Sequence, residues 1–114
     1  MSSYDLEERT LRFAERTNNY VRRLPRTITN IENGRQLVRS SGSVGANYIE
    51  ANESLSRKDF VMRIKICKKE AKESRYWVRL TDPMEEMKNE KEELFDEVTE
   101  LMKIFGAIIE KSEK

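Results

Sequence analysis

The chain is 114 residues long, 38% charged and 37% hydrophobic, with four glycines, two prolines and a net charge of +1. That length suits one domain with a modest core, and the composition favours long, surface-charged helices over a loop-rich β fold. No histidine is present, which removes His-based triads, the commonest metal ligand and the usual neutral-pH base. The single cysteine excludes an internal disulfide and suits a reducing cytoplasm. No apolar run is long enough to span a bilayer and the N-terminus lacks a signal-peptide core, so no membrane role is expected.

The spacing of apolar residues predicts a first helix over about 5–24, with Leu6, Thr10, Phe13, Thr17, Tyr20 and Leu24 facing inward and Pro25 as its stop. A second helix is expected over about 29–53. Its inward stripe is Leu37, Ser41, Val44, Tyr48 and Ala51, with Val38 and Ile49 beside it. Gly42 and Gly45 weaken this helix by up to about 1 kcal/mol each relative to Ala. The third helix, about 57–80, opens on a capping box at Ser56–Asp59 and turns Phe60, Ile64, Cys67, Ala71, Ser74 and Val78 inward. After Thr81-Asp82-Pro83, a fourth helix is expected over about 90–111, capped by Asn89 and carrying Leu94, Val98, Leu101, Phe105 and Ile108. Helices of some 20 residues, about 30 Å long, joined by short connections must run antiparallel to their neighbours. The expected fold is an all-α, up-down-up-down antiparallel four-helix bundle, a single domain over 1–114.

The second helix also carries a row of small polar residues at heptad spacing: Gln36, Ser40, Ser43, Asn47, Glu50 and Ser54. A solvated face is ordinarily rich in Lys and Glu, which favour helix, whereas Ser, Asn and Gly do not. Close packing or a polar contact with a partner accounts better for this row. On the third helix, Glu70 and Glu73 sit within an apolar arc of Met62, Ile66, Trp77 and Leu80. A carboxylate in such surroundings is costly unless paired. Ser43, Asn47, Glu50, Glu70 and Glu73 are therefore expected to form a polar seam between the second and third helices or across a subunit contact. Glu70-Ala71-Lys72-Glu73 lacks the histidine of bundle metal sites, and no metal or other cofactor is expected.

Charge is segregated along the chain. Residues 1–82 hold 17 Lys and Arg against 11 Asp and Glu, while residues 83–114 hold 5 against 10. Arg9, Arg12, Arg16, Arg23 and Arg26 form one basic stripe; Lys65, Lys68, Lys72, Arg75 and Arg79 form a second. Glu86, Glu90, Glu93, Glu97 and Glu100 form an acidic one. Like charges at these spacings repel, so each stripe calls for an opposing partner. The acidic helix meeting a basic helix, of its own or a neighbouring chain, is the more economical arrangement. The alternative is that the basic stripes meet the phosphates of RNA or DNA. Cys67, on the core stripe, reads as a small buried hydrophobe rather than a reactive thiol.

Three motifs carry a resemblance: Arg39-Ser40-Ser41-Gly42-Ser43-Val44-Gly45-Ala46-Asn47-Tyr48-Ile49-Glu50-Ala51, Ser56-Arg57-Lys58-Asp59-Phe60 and Lys69-Glu70-Ala71-Lys72-Glu73-Ser74-Arg75-Tyr76-Trp77. They are similar to a bacterial family of four-helix bundles named after proteins encoded in intervening sequences of 23S ribosomal RNA genes. More distantly, the chain resembles the accessory variability proteins of diversity-generating retroelements. The resemblance implies a ring-shaped homopentamer. For the retroelement relatives it also implies nucleic-acid binding and a complex with reverse transcriptase through a basic surface. No catalytic residues carry over. The near-zero net charge and acidic fourth helix depart from the strongly basic retroelement proteins.

The leading expectation is thus a non-enzymatic, cytoplasmic, oligomeric scaffold that engages RNA or a nucleic-acid-processing partner. Two alternatives are an autonomous nucleic-acid-binding protein and a small-ligand binder or enzyme using Asn47, Glu50, Glu70 and Glu73 as a polar pocket.

Overall fold

A computed structural model describes residues 3–113; positions 1, 2 and 114 of the expected domain lie outside the described residues. Four helices follow one another: α1 (Ser3–Arg22), α2 (Ile28–Asn52), α3 (Arg57–Leu80) and α4 (Lys88–Ser112). A single 3-10 turn, Glu85–Met87, leads into α4. Each helix packs on its chain neighbours and α1 closes the bundle against α4, so the architecture is the expected up-down-up-down one. The bundle measures 45 × 22 × 19 Å, as helices of 20 to 25 residues side by side require. No helix among the described residues is long and apolar enough to cross a membrane.

Local chemistry sets the helix ends. The Thr27 and Ser56 side chains accept the backbone N–H of Asn30 and Asp59, each at 3.1 Å, satisfying donors that a helix start leaves open. The expected Asn89 cap is incorrect: Asn89 lies inside α4, which begins one residue earlier. The 3-10 turn feeds directly into the helix, and buried Met87 anchors that junction in the core.

The inward stripes form one core, in which Phe13, Val44, Ile64, Leu101 and Phe105 are all but inaccessible. Tyr48 tilts against Phe105 with ring centroids 6.1 Å apart. Val38 and Ile49 are not part of it. They are 40% and 52% exposed, because they lie on the solvent-facing ridge of α2. Gly45 has a packing reason: a Cβ there would come within 3.0 Å of the Thr10 hydroxyl, so the glycine lets α1 lie close on α2. Gly42 has none within the chain, since a Cβ there would meet open space.

One end of the bundle is fastened by polar side chains. Buried Asn30 donates to the carbonyls of Pro25 and Asp82 and accepts the Asp82 N–H, all at 2.9 Å. The Tyr20 hydroxyl meets that of Thr81 at 2.7 Å. Lys91 Nζ donates to the Thr81 carbonyl at 2.8 Å. These bonds tie the α1–α2 turn to the α3–α4 connection.

Candidate functional site

The α1 arginines divide into spent and free. Arg9 donates through Nε and Nη2 to both oxygens of Glu97, at 2.8 and 2.9 Å. Arg16 reaches Glu90 at 2.8 Å and Glu93 at 3.0 Å. Hydrogen bonding to these carboxylates raises both guanidinium pKa values further, against the opposing effect of burial. The acidic stripe of α4 is thus met by α1 of its own chain, the more economical of the two arrangements considered from sequence. Arg12 stays largely exposed, 3.9 Å from Glu8, and Arg23 and Arg26 are exposed.

The α3 basic stripe borders α4 and is less neutralised. Lys65 pairs with Glu113 at 3.1 Å. Arg75 lies 5.6 Å above the Phe95 ring and donates to Thr99. Lys68, Lys72 and Arg79 are exposed, with no ion pair among the described residues. Like-charged side chains left unpaired in one row produce a local positive potential, the footprint a polyanion needs.

The polar seam does not converge as one group. Asn47 donates to the Ser43 carbonyl at 2.9 Å and accepts from Arg63 at 3.3 Å. Glu70 lies farther along α3, opposite Arg39. Glu50 is exposed, its carbonyl accepting from Ser54. α2 and α3 run antiparallel, so Asn47 lies at the level of Arg63 and Glu70 at that of Arg39, about two turns away. The inter-helix polar contact at the centre is one the sequence concealed: Ser74 donates to Ser40 at 2.8 Å, both fully buried. Its signals were Ser40 in the small polar row of α2 and Ser74 on the otherwise apolar stripe of α3. Arg39 and Arg63 carried none.

Among the described residues two buried side-chain oxygens lack a hydrogen bond: Thr17 Oγ1 in the core and Glu70 Oε1. The Glu70 side chain is 12% exposed. Arg39 Nη1 is 3.5 Å away, which supplies charge but not hydrogen-bond geometry. Burial first, and then the Glu73 carboxylate, push the Glu70 carboxyl above its ordinary range. Elsewhere along α3, Met62, Tyr76 and Leu80 are 54%, 58% and 45% exposed, with Trp77 packed edge-on to Tyr76. Across α2, Arg22, Arg26 and Arg35, which have no ion pair among the described residues, line a groove of about 550 Å³ together with Val21, Ile31 and Val38.

Cys67 is buried and its thiol is pushed up to about 12 by desolvation, which keeps it protonated and unreactive at neutral pH. No group of three Cys, Asp or Glu side chains among the described residues is placed to hold a metal.

No curated protein matches the chain. Among solved structures it is similar to a protein of unknown function from the S23 ribosomal protein family of Bacteroides thetaiotaomicron. The two are 29% identical with a TM-score of 0.79, over 96% of this chain and 99% of that one. The sequence pattern of the 23S rRNA-intervening sequence proteins matches residues 3–107. With a match over nearly its whole length and a shared four-helix architecture, the chain belongs to the family of 23S rRNA-intervening sequence proteins.

Proposed function

We propose that this protein is a non-catalytic, cytoplasmic scaffold that self-associates through the outer face of α2 and α3. The observations that carry the reading lie on α3: a buried Glu70 carboxylate oxygen that accepts no hydrogen bond and has only the 3.5 Å charge contact with Arg39, and the exposed apolar side chains of Met62, Tyr76 and Leu80 along the same helix. A buried polar atom without a hydrogen bond is costly, and exposed apolar side chains along one helix are available to a partner surface. A second protein surface that covers these side chains and donates to Glu70 meets both. Five copies is the number that the family resemblance implies. Sedimentation equilibrium at micromolar concentration tests the reading: an assembly several times the 13.5 kDa chain mass is expected, falling to a monomer in Met62→Lys/Leu80→Lys.

A second activity is carried by the α3 stripe. Lys68, Lys72, Arg75 and Arg79 have no carboxylate partners among the described residues, in contrast to Arg9 and Arg16. We assign nucleic-acid contact to this stripe rather than to α1. Lys68→Ala/Lys72→Ala should weaken RNA binding and flatten its log–log salt dependence by about one per lost contact. Absence of binding by the unaltered protein at low salt would remove the assignment.

A further inference from the structure

Resting on the assignment of nucleic-acid contact to the α3 stripe, we infer that the ligand there is a single strand, with one of its bases stacked on Tyr76. Tyr76 follows Lys72 by four residues and precedes Arg79 by three, so the three side chains share one face of the helix. The Tyr76 side chain is 58% exposed. Trp77 packs against its ring at a centroid distance of 5.1 Å with the planes inclined at 75°, which steadies the ring without enclosing it. An exposed aromatic within an unpaired basic row suits a single strand, whose phosphates follow the cations while an unpaired base lies on the ring.

Acidic borders favour a strand over a duplex. Glu73 flanks the row on α3, and Glu92 and Asp96 of α4 line the groove beside Arg79. A single strand can follow a row this narrow. A duplex presents two phosphate backbones about 12 Å apart across its major groove, and the second would lie over the α4 carboxylates. From Lys68 to Arg79 the helix rises about 16 Å, room for about five nucleotides at the stacked spacing of about 3.4 Å.

The row and the assembly face occupy different flanks of α3. Arg75 reaches Phe95 and Thr99 of α4, Lys65 reaches Glu113, and Lys68 lies beside Gly106. Arg63 and Glu70 turn instead to Asn47 and Arg39 of α2. Tyr76 stands at the border of the two flanks, so strand binding and self-association are compatible.

Fluorescence anisotropy at low salt, with a labelled ten-nucleotide oligouridine and a ten-base-pair RNA duplex as probes, is the test. The unaltered protein should bind the single strand more tightly. Tyr76→Leu keeps an apolar side chain and removes the ring. It should weaken oligouridine binding about tenfold and leave the log–log salt slope unchanged, because no phosphate contact is lost. Tyr76→Phe should stay within about twofold of the parent, since its ring still stacks. Lys68→Ala/Lys72→Ala should flatten the slope instead. Trp77 is the only tryptophan of the chain, and its fluorescence should change as oligouridine saturates the parent. Position 76 is exposed, so both variants should keep the helical circular dichroism; Tyr76→Met replaces Tyr76→Leu should the latter misfold.

The outcomes separate the two claims. A parent that binds the duplex at least as tightly as the strand overturns the single-strand ligand. Normal oligouridine binding by Tyr76→Leu, beside weakened binding by Lys68→Ala/Lys72→Ala, overturns the stacking and leaves the α3 contact standing. So does a Tyr76→Leu protein that loses its assembly in sedimentation but keeps its affinity for the strand, which assigns the ring to the subunit contact. A parent that binds neither probe overturns both claims.

Discussion

Asn30 and Asp82, 52 residues apart, exchange a pair of hydrogen bonds: the Asp82 N–H reaches the Asn30 amide oxygen, and the Asn30 amide returns a bond to the Asp82 carbonyl, both at 2.9 Å. The asparagine imitates a backbone partner for a residue just past the end of α3. With its third bond, to the Pro25 carbonyl, it holds both turns at that end of the bundle. Asn30→Ala removes all three bonds and leaves a partly buried N–H and two carbonyls without their partner. It should lower stability by about 2–3 kcal/mol, read from the urea midpoint. A loss below about 0.5 kcal/mol would mean that the clasp contributes nothing.

The α1–α4 seam depends on long side chains. Arg9 and Glu97 are bidentate and only 28% and 22% exposed, so their coupling should exceed that of a fully solvated pair. A double-mutant cycle of Arg9→Ala and Glu97→Ala should give a coupling of about 1 kcal/mol that shrinks only modestly in high salt. Additive single effects would show that the pair is geometrically present but energetically silent.

Gly42 and Gly45 are three residues apart on one helix and should respond to the same substitution with opposite signs. In the Met62→Lys/Leu80→Lys background, which isolates the single chain, Gly42→Ala should raise stability by about 0.5–1 kcal/mol through helix propensity. Gly45→Ala places a methyl group 3.0 Å from the Thr10 hydroxyl and should lower it, since packing loss outweighs the same propensity gain. Thermal melts of the two variants decide the matter. Equal shifts would contradict the close α1–α2 approach.

Glu70 should reverse the usual acid behaviour of a carboxylate. Burial and the neighbouring Glu73 raise its pKa, while Arg39 and Lys69 pull it down without prevailing. Between the ordinary glutamate value of about 4.3 and the raised one, the folded chain binds more protons than the unfolded chain. Stability from this group therefore falls as pH rises through that window, whereas a carboxylate held low by a salt bridge gains. In the same monomeric background, the stability of Glu70 over Glu70→Gln should decline with pH and then level off. Urea midpoints across roughly pH 4 to 7 read it, and a flat difference would show that Glu70 is solvated in the single chain.

The apolar pattern made the helices and the core legible, because burial repeats with the helix period: Phe13, Val44, Ile64 and Phe105 all lie where their spacing put them. Val38 and Ile49 were misread, since an apolar residue on a solvent-facing ridge has the same spacing as one at the edge of the core. Polar contacts depend on the rotation and level at which helices meet, which periodicity does not record. That is why Ser40–Ser74 and Asn30–Asp82 went unread and why Asn47, Glu50 and Glu70 were grouped too closely. The Arg9 and Glu97 stripes were legible as complementary charge, but only the structure brings them together within one chain.

Self-association through the α2–α3 face is most directly tested by the mass of the protein in solution. Sedimentation equilibrium of the unaltered chain, beside Met62→Lys/Leu80→Lys, at micromolar concentration is the measurement. The account predicts a defined multiple of 13.5 kDa for the first and a folded monomer for the second. A folded 13.5 kDa monomer in both, or an unchanged assembly in the variant, would contradict it.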